Sequence, residues 1–434
     1  MDGVLNEHEL RRTVVAEMHL RRWPSIVAPG SIIQLVRVVE AEERGAETAA
    51  LEALPPGAVR DPGANPRHLS VSFAPGITIS WERHSEASTC TLFMADLPSP
   101  LGLTSNAGGS DAERALHWVL NLPGKVIRAT RIMLVPDTTA AEASLGAADF
   151  NPDELVVCDI GADGVGAVAR MYSDFVLHDD GFGVVLVAAN GMAPADLSRT
   201  VQRLQELGNY RNLALLGLPV AQRGWKVLDG IERQVSDLTS AIARSDLTDD
   251  ALLDDITRLS IELATEAASW DYRMSATAAY AQIVTERLDE LAIRRCEGFA
   301  SLTDFTRRRL LPAVRTCAVH RRRSEQLAQR TSQLVSLLRT RIETRIENQN
   351  GRLLASMERN ATRQLRLQQL VEGFSVVALT YYAISLLAHV LEGVEAMGWH
   401  LRAGVVIAVL TPIVGLGMWG AIHGLKKRVL GPHE

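Results

Sequence analysis

Cysteine is scarce: Cys90, Cys158, Cys296 and Cys317 are the only four in 434 residues. They lie far apart and form no CxxC pair. That fits reduced, buried thiols in a cytosolic compartment better than disulfides or zinc. The chain also lacks a GxSxG elbow, a P-loop, a DxDxDG calcium loop and an HExxH helix. No catalytic residue, no cofactor and no enzymatic activity are expected on that basis. The opening MDGVLNEHELRR has no apolar run of the kind a signal peptide needs, so the bulk of the chain is expected to stay unexported. Basic charge is not in excess, and the net charge of −6 argues against general nucleic-acid binding.

Two stretches lack charge altogether. Phe374 to Leu391 (FSVVALTYYAISLLAHVL) and Ala403 to Ile422 (AGVVIAVLTPIVGLGMWGAI) contain no Asp, Glu, Lys or Arg. A helix needs about 20 apolar residues to cross a bilayer, with about 17 tolerated. Both runs are therefore expected to be transmembrane helices, and neither shows the polar stripe of an ordinary core helix. Arg359, Arg363 and Arg366 precede the first, and Lys426, Lys427 and Arg428 follow the second. Positive flanks stay inside. The expectation is a multi-pass hairpin in a bacterial inner membrane, with both termini cytoplasmic and the connector around Glu392, Glu395 and Trp399 outside.

The rest of the chain reads as α+β. An N-terminal domain with a mixed or antiparallel sheet is expected over residues 1–192. Runs beginning at Ile32, Leu69, Ile77, Thr89, Val126, Leu155, Val168 and Val184 are β-branched or alternate in polarity. Asp180-Gly181 suits a type I′ hairpin turn between the last two, Asp111 to Leu120 suits a helix, and residues 41–67 and 97–109 read as loops. A long helical, stalk-like region is expected over 193–372. It has a break or kink at Pro219, an amphipathic repeat at Leu228, Ile231, Val235, Leu238 and Ile242, and a long helix from about Ala251 to Arg295. From Pro312 there is no further Pro or Gly until Gly351. A continuous helix to Glu372 would be about 90 Å long and could not bury its apolar face alone, which implies helical partners. The hairpin occupies 373–425 (spans 374–391 and 403–422), followed by a basic cytoplasmic tail at 426–434.

Candidate sites have plain readings beside sharper ones. Gly415, Gly417 and Gly420 spell GxGxxG, but within an apolar span they suit close helix packing and not a dinucleotide loop. His19, His84 and His178 each have acidic neighbours and are candidates for a metal site, set against ordinary hydrogen-bonding roles at strand ends. Thr380, Tyr381, Tyr382 and Thr411 are polar groups in the spans, either pore-lining or bonded between helices. The basic runs Arg307 to Arg309 and Arg321 to Arg323 read as solvated helix faces, with contact to anionic lipid as the alternative.

Several longer motifs carry a resemblance: WERHSE (Trp81 to Glu86), SDFVLHDDGF (Ser173 to Phe182), YRNLALLGLP (Tyr210 to Pro219), RRLLPAVRTC (Arg308 to Cys317), QNGRLLASM (Gln349 to Met357) and LRLQQLVEGFSVVALTYY (Leu365 to Tyr382). With them the chain resembles, over nearly its whole length, the family called domain of unknown function 3422, described as membrane-anchored proteins. The family usually begins with a form like NEVHARPF. Here AEMHLRRW (Ala16 to Trp23) keeps Glu17, His19 and Arg21 and departs at Ala16 and Arg22. The resemblance implies a membrane anchor and transfers no catalytic residue. The order of parts is also similar to CorA-type magnesium channels, which carry Gly-Met-Asn after their first span where this connector reads LEGVEAMGWHLRAG. The first expectation is a non-enzymatic, homo-oligomeric interaction or scaffold protein in contact with the bilayer. The alternative is a CorA-like divalent-cation channel or transporter without that motif.

Overall fold

The structure is a computed structural model that describes residues 7–17, 23–61, 65, 67–95, 97–161, 166–244, 247–396 and 403–429. It divides into two compact units, Met1–Val335 and Ser336–Glu434. In the first, a short helix α1 (Arg11–Glu17) precedes strand β1 (Gly30–Val38), helix α2 (Arg44–Glu52) and strands β2 (Val59–Arg60), β3 (His68–Ala74), β4 (Ile77–Arg83) and β5 (Ala87–Met94). Helix α3 (Asp111–Leu120), strand β6 (Lys125–Val135), helix α4 (Thr138–Ser144) and strands β7 (Val156–Ile160), β8 (Ala169–Ser173) and β9 (Gly183–Ala188) follow. Helices α5 (Pro194–Leu215), α6 (Gly217–Arg244) and α7 (Asp249–Glu290) and the two-residue strand β10 (Arg294–Arg295) lead into helix α8 (Leu302–Ala396). Helix α9 (Ala403–Val429) closes the chain as described.

All ten strands form one mixed sheet in the order β10-β7-β8-β9-β6-β1-β5-β4-β3-β2. Among the described strands the β6–β9 pair is the parallel one; β3, β4 and β5 form the expected antiparallel meander. Strand β1 lies near the middle and is buried on both faces, because its pleat sends alternate side chains to opposite sides. Ile32 and Val36 join a core with Val201, Leu204 and Leu207 of α5 and Val284 of α7. Ile33 and Leu35 join a second core with Leu51 of α2 and Leu116 and Val119 of α3. The sheet is thus the middle layer of three, and charged side chains on β1 and β6 must find partners beneath helices.

Four local expectations need correction. Residues 41–67 are not loop throughout: RGAETAALE forms α2, where Ala-rich sequence favours helix, and Val59–Arg60 pairs with β3. Asp180-Gly181 is not a type I′ turn. That turn needs positive φ at both central residues, and Gly181 (φ 80°) has it while Asp180 does not. The β-rich run from Val168 continues in sequence to Leu177, yet strand β8 ends at Ser173, so a longer loop joins it to β9. The long final helix begins at Leu302, not Pro312, where Ser301 Oγ accepts the Asp304 N–H at 3.2 Å. The break between α5 and α6 falls at Leu216. Pro219 has no N–H for the Leu215 carbonyl and its ring crowds that oxygen, so α5 stops there. Helix α3 runs from Asp111 to Leu120 as expected, started by a reciprocal Ser110–Glu113 capping box.

Candidate functional site

The motif WERHSE lies on β4 and the turn beyond it, and alternation divides its work. Trp81 and Arg83 point to the α2 face, where Trp81 Nε1 donates to Glu47 Oε1 at 3.1 Å and Arg83 Nη2 to Glu47 Oε2 at 3.0 Å. Glu47 is buried, so this pairing satisfies a carboxylate that would otherwise be costly. On the opposite face His84 shares a hydrogen bond with Thr89 Oγ1 at 3.0 Å, and its ring meets Tyr210 of α5 edge-on at 6.0 Å. Tyr210 stacks in turn on Tyr280 of α7 at 5.7 Å. Glu86, also buried, accepts both terminal nitrogens of Arg273 on α7, at 2.8 and 2.6 Å. The motif therefore ties one hairpin to α2, α5 and α7.

Between this hairpin and α5 lies a polar cleft of about 200 Å³, lined among others by Trp23, Gln34, Glu82, His84, Glu206 and Arg287. Glu206 accepts from Arg287 Nε at 2.6 Å, while burial raises its pKa. The acids and the histidine of the cleft thus already hold protein partners. At the deep end of α5, Arg128 Nη1 donates to Gln205 and Asn209 at 2.7 Å each and to Gln34 at 3.3 Å. Burial first, then repulsion by Arg211, lowers the Arg128 pKa to about 9. Gly208 makes the arrangement possible, since a Cβ there would lie 2.8 Å from the Arg128 guanidinium.

Of the histidines proposed as metal ligands, His19 lies outside the described residues. His84 is held by Thr89 and Tyr210, and His178 sits in the loop between β8 and β9, where its backbone N–H donates to the Phe182 carbonyl at 2.9 Å. Among the described residues no group of three or more His, Cys, Asp or Glu side chains is placed to hold a metal ion. Cys90, Cys158 and Cys317 are buried and Cys296 partly so, all as free thiols, and burial pushes Cys90 and Cys158 up to about 12.

In the second unit, the C-terminal part of α8 and most of α9, before Lys426, present the uncharged stretches. Both are long and apolar enough to cross a membrane, and none of either apolar window is buried. The Thr380 and Thr411 hydroxyls donate to the carbonyls of Val376 (2.7 Å) and Ile407 (2.8 Å) in their own helices. Tyr381 and Tyr382 are exposed and meet edge-on at 5.8 Å. A Cβ on Gly415 would meet Thr380 Cγ2 at 3.7 Å, whereas Gly417 and Gly420 face open space.

Residues 6–429 match the family model described as Protein of unknown function (DUF3422). The chain belongs to the DUF3422 family. No curated protein matches it, and no solved structure does. In this DUF3422 member the motifs that first suggested the family occupy definite places. WERHSE and YRNLALLGLP meet at the polar cleft, RRLLPAVRTC lies in the first turns of α8, and LRLQQLVEGFSVVALTYY leads α8 into its apolar stretch. Sequence reading passed over Gln34, Arg128, Gln205, Asn209 and Arg211. The available signal was an arginine inside the otherwise apolar strand KVIRATRIMLV, since a buried cation must be accounted for.

Proposed function

We propose that this protein is a non-enzymatic, membrane-anchored interaction protein that works as a homo-oligomer. The apolar part of α8 and α9 would form a two-span hairpin in a bacterial inner membrane, with both flanks and the soluble unit on the cytoplasmic side. The observation that carries this reading is that two helix stretches too apolar for water have none of their residues buried. Arg359, Arg363 and Arg366 before the first span supply the positive flank that retains it inside. Oligomer formation is supported by the exposed apolar side chains of α8 before the span, including Leu353, Leu354, Met357, Leu365 and Leu370. A single helix cannot bury such side chains against itself, and a coiled-coil-like association would.

Topology and stoichiometry test it together. Reporter fusions after Glu434 should report a cytoplasmic C-terminus, and a cysteine placed at Glu395 should be labelled from outside. Mass photometry of the nanodisc-embedded protein should give more than one copy. A periplasmic C-terminus or a monomer would overturn the reading. An oligomer enclosing a lumen lined by Thr380, Tyr381, Tyr382 and Thr411 would replace it with the channel alternative.

A further inference from the structure

Strand β6 is longer than its parallel neighbour. Strand β9 begins with Gly183 opposite Thr130, so residues 126–129 of β6 have no strand partner on that side. The chain before β9 instead forms the 174–182 loop. Where β9 would continue there is a cavity of about 290 Å³, walled by β6, the start of β9, Phe175 to Leu177 and the Arg211–Asn212 turn of α5. It is small for a pocket that takes an organic ligand, so its occupant is metabolite-sized.

Arg128 and Arg211 are among its lining residues, and among the described residues no carboxylate pairs with either guanidinium. Arg211 is 9% exposed, makes no hydrogen bond or ion pair among the described residues, and has an Nη1 that is fully buried without an acceptor. Its guanidinium rests instead against aromatic rings. Cζ lies 4.6 Å from the Phe175 ring centre and 5.5 Å from that of Phe305, and the two rings stack at 4.3 Å. Stacking on an aromatic face fixes an arginine while leaving its N–H edge free for a planar or tetrahedral oxyanion. Arg128 spends one nitrogen on three amide oxygens, while its Nε and Nη2 donate to nothing among the described residues. Several other buried or half-buried arginines of this unit differ: Arg131, Arg170, Arg273, Arg287 and Arg323 each meet a carboxylate within 3 Å, and the deeply buried Arg37 gives Nη2 to the Val119 carbonyl and borders no such cavity. Two neighbouring cations, one buried and one half-buried, with no carboxylate between them are costly, and an anion would complete such a pair.

We propose that Arg128 and Arg211 bind the phosphate group of a small phosphate-bearing metabolite in the cavity beside β6 and β9. Charge selects phosphate over carboxylate. A phosphomonoester carries about −1.5 to −2 at neutral pH and offers three acceptor oxygens, which matches two cations with free donors. A carboxylate would leave one positive charge buried. Val176, Leu177 and Val184 supply an apolar wall for the small organic part. The site lies in the soluble unit and does not depend on how the protein is anchored.

The test uses the full-length protein in phosphatidylcholine nanodiscs. Inorganic phosphate and glycerol 3-phosphate are compared with chloride and acetate at equal ionic strength and pH. Phosphate far above its Kd should raise the melting temperature of the soluble unit by on the order of 5 °C, and acetate should not. Arg211→Met is the informative variant because its wild-type side chain has no hydrogen bond to lose. It should melt no lower than wild type without phosphate, since a buried charge has been removed, yet lose the phosphate response and weaken phosphate binding in calorimetry roughly 10- to 100-fold. A merely structural arginine would give the opposite first result. Arg128→Met should lose the response as well. A shift confined to nanodiscs containing phosphatidic acid, and lost in both variants, would identify a lipid headgroup as the source of the same phosphate group. No shift with any phosphate probe, an equal shift with acetate, or a shift retained in both variants overturns the proposal.

Discussion

His320 on α8 shows how much one buried side chain can demand. Its ring is fully buried between Trp225 of α6 (6.0 Å) and Trp270 of α7 (4.8 Å), and neither ring nitrogen has a hydrogen-bond partner. Gly224 admits it, because a Cβ there would lie 2.2 Å from Nε2. Burial lowers the imidazole pKa, nearness to the Gly224 backbone works against that, and the Arg323 charge adds to it. Arg323 is itself balanced by Asp229 and Glu232 of α6. A base whose folded pKa is depressed takes up its proton more readily when unfolded. Stability is therefore complete above the ordinary imidazole value, about 6.5, and falls as pH drops below it. The slope from this one group is at most about 1.4 kcal/mol per pH unit. Melting curves between pH 7 and pH 5 should show a steeper loss in wild type than in His320→Gln; parallel curves would remove this role from the histidine.

At the scale of elements, strands were legible where β-branched residues ran uninterrupted and helices where apolar residues recurred at three and four. Strands β1 and β6 and helices α3 and α7 follow those patterns closely. Helix α2 was missed because RGAETAALE is too short and polar for a clear repeat, and its Glu47 is buried only through Trp81 and Arg83 from a distant strand. The partners of Arg128 lie 77 to 94 residues away in sequence, which no local pattern encodes. The basic run Arg321 to Arg323 likewise read as a solvated face, yet Arg323 pairs with α6, while Arg307 to Arg309 are exposed as expected. For α9 the structure sharpens a test of self-association. Gly417 faces open space, so a leucine there displaces nothing within one chain and is favourable in lipid. Gly417→Leu should lower oligomer mass in light scattering while leaving membrane insertion intact. Unchanged stoichiometry would exclude this glycine from a subunit contact.

For the whole molecule, the cores about the sheet draw on residues no later in the chain than Leu310 and Val314. A chain truncated after Arg359 should accordingly be soluble and cooperatively folded, with a single melting transition. Persistent aggregation of that chain beside a well-behaved full-length protein would show that the spans are integral to folding. The sheet itself bears on how such a protein avoids unwanted company. Its outermost strands, β2 and β10, are each two residues long, and each carries arginine: Arg60 at one margin, Arg294 and Arg295 at the other. Open margins of a sheet recruit strands from other chains when they are long and apolar, and short charged ones do not. Both routes to fibril-like stacking are thereby blunted, even at the crowding a membrane surface imposes. Copies held side by side in a bilayer would meet through helices and not by extending one another's sheets.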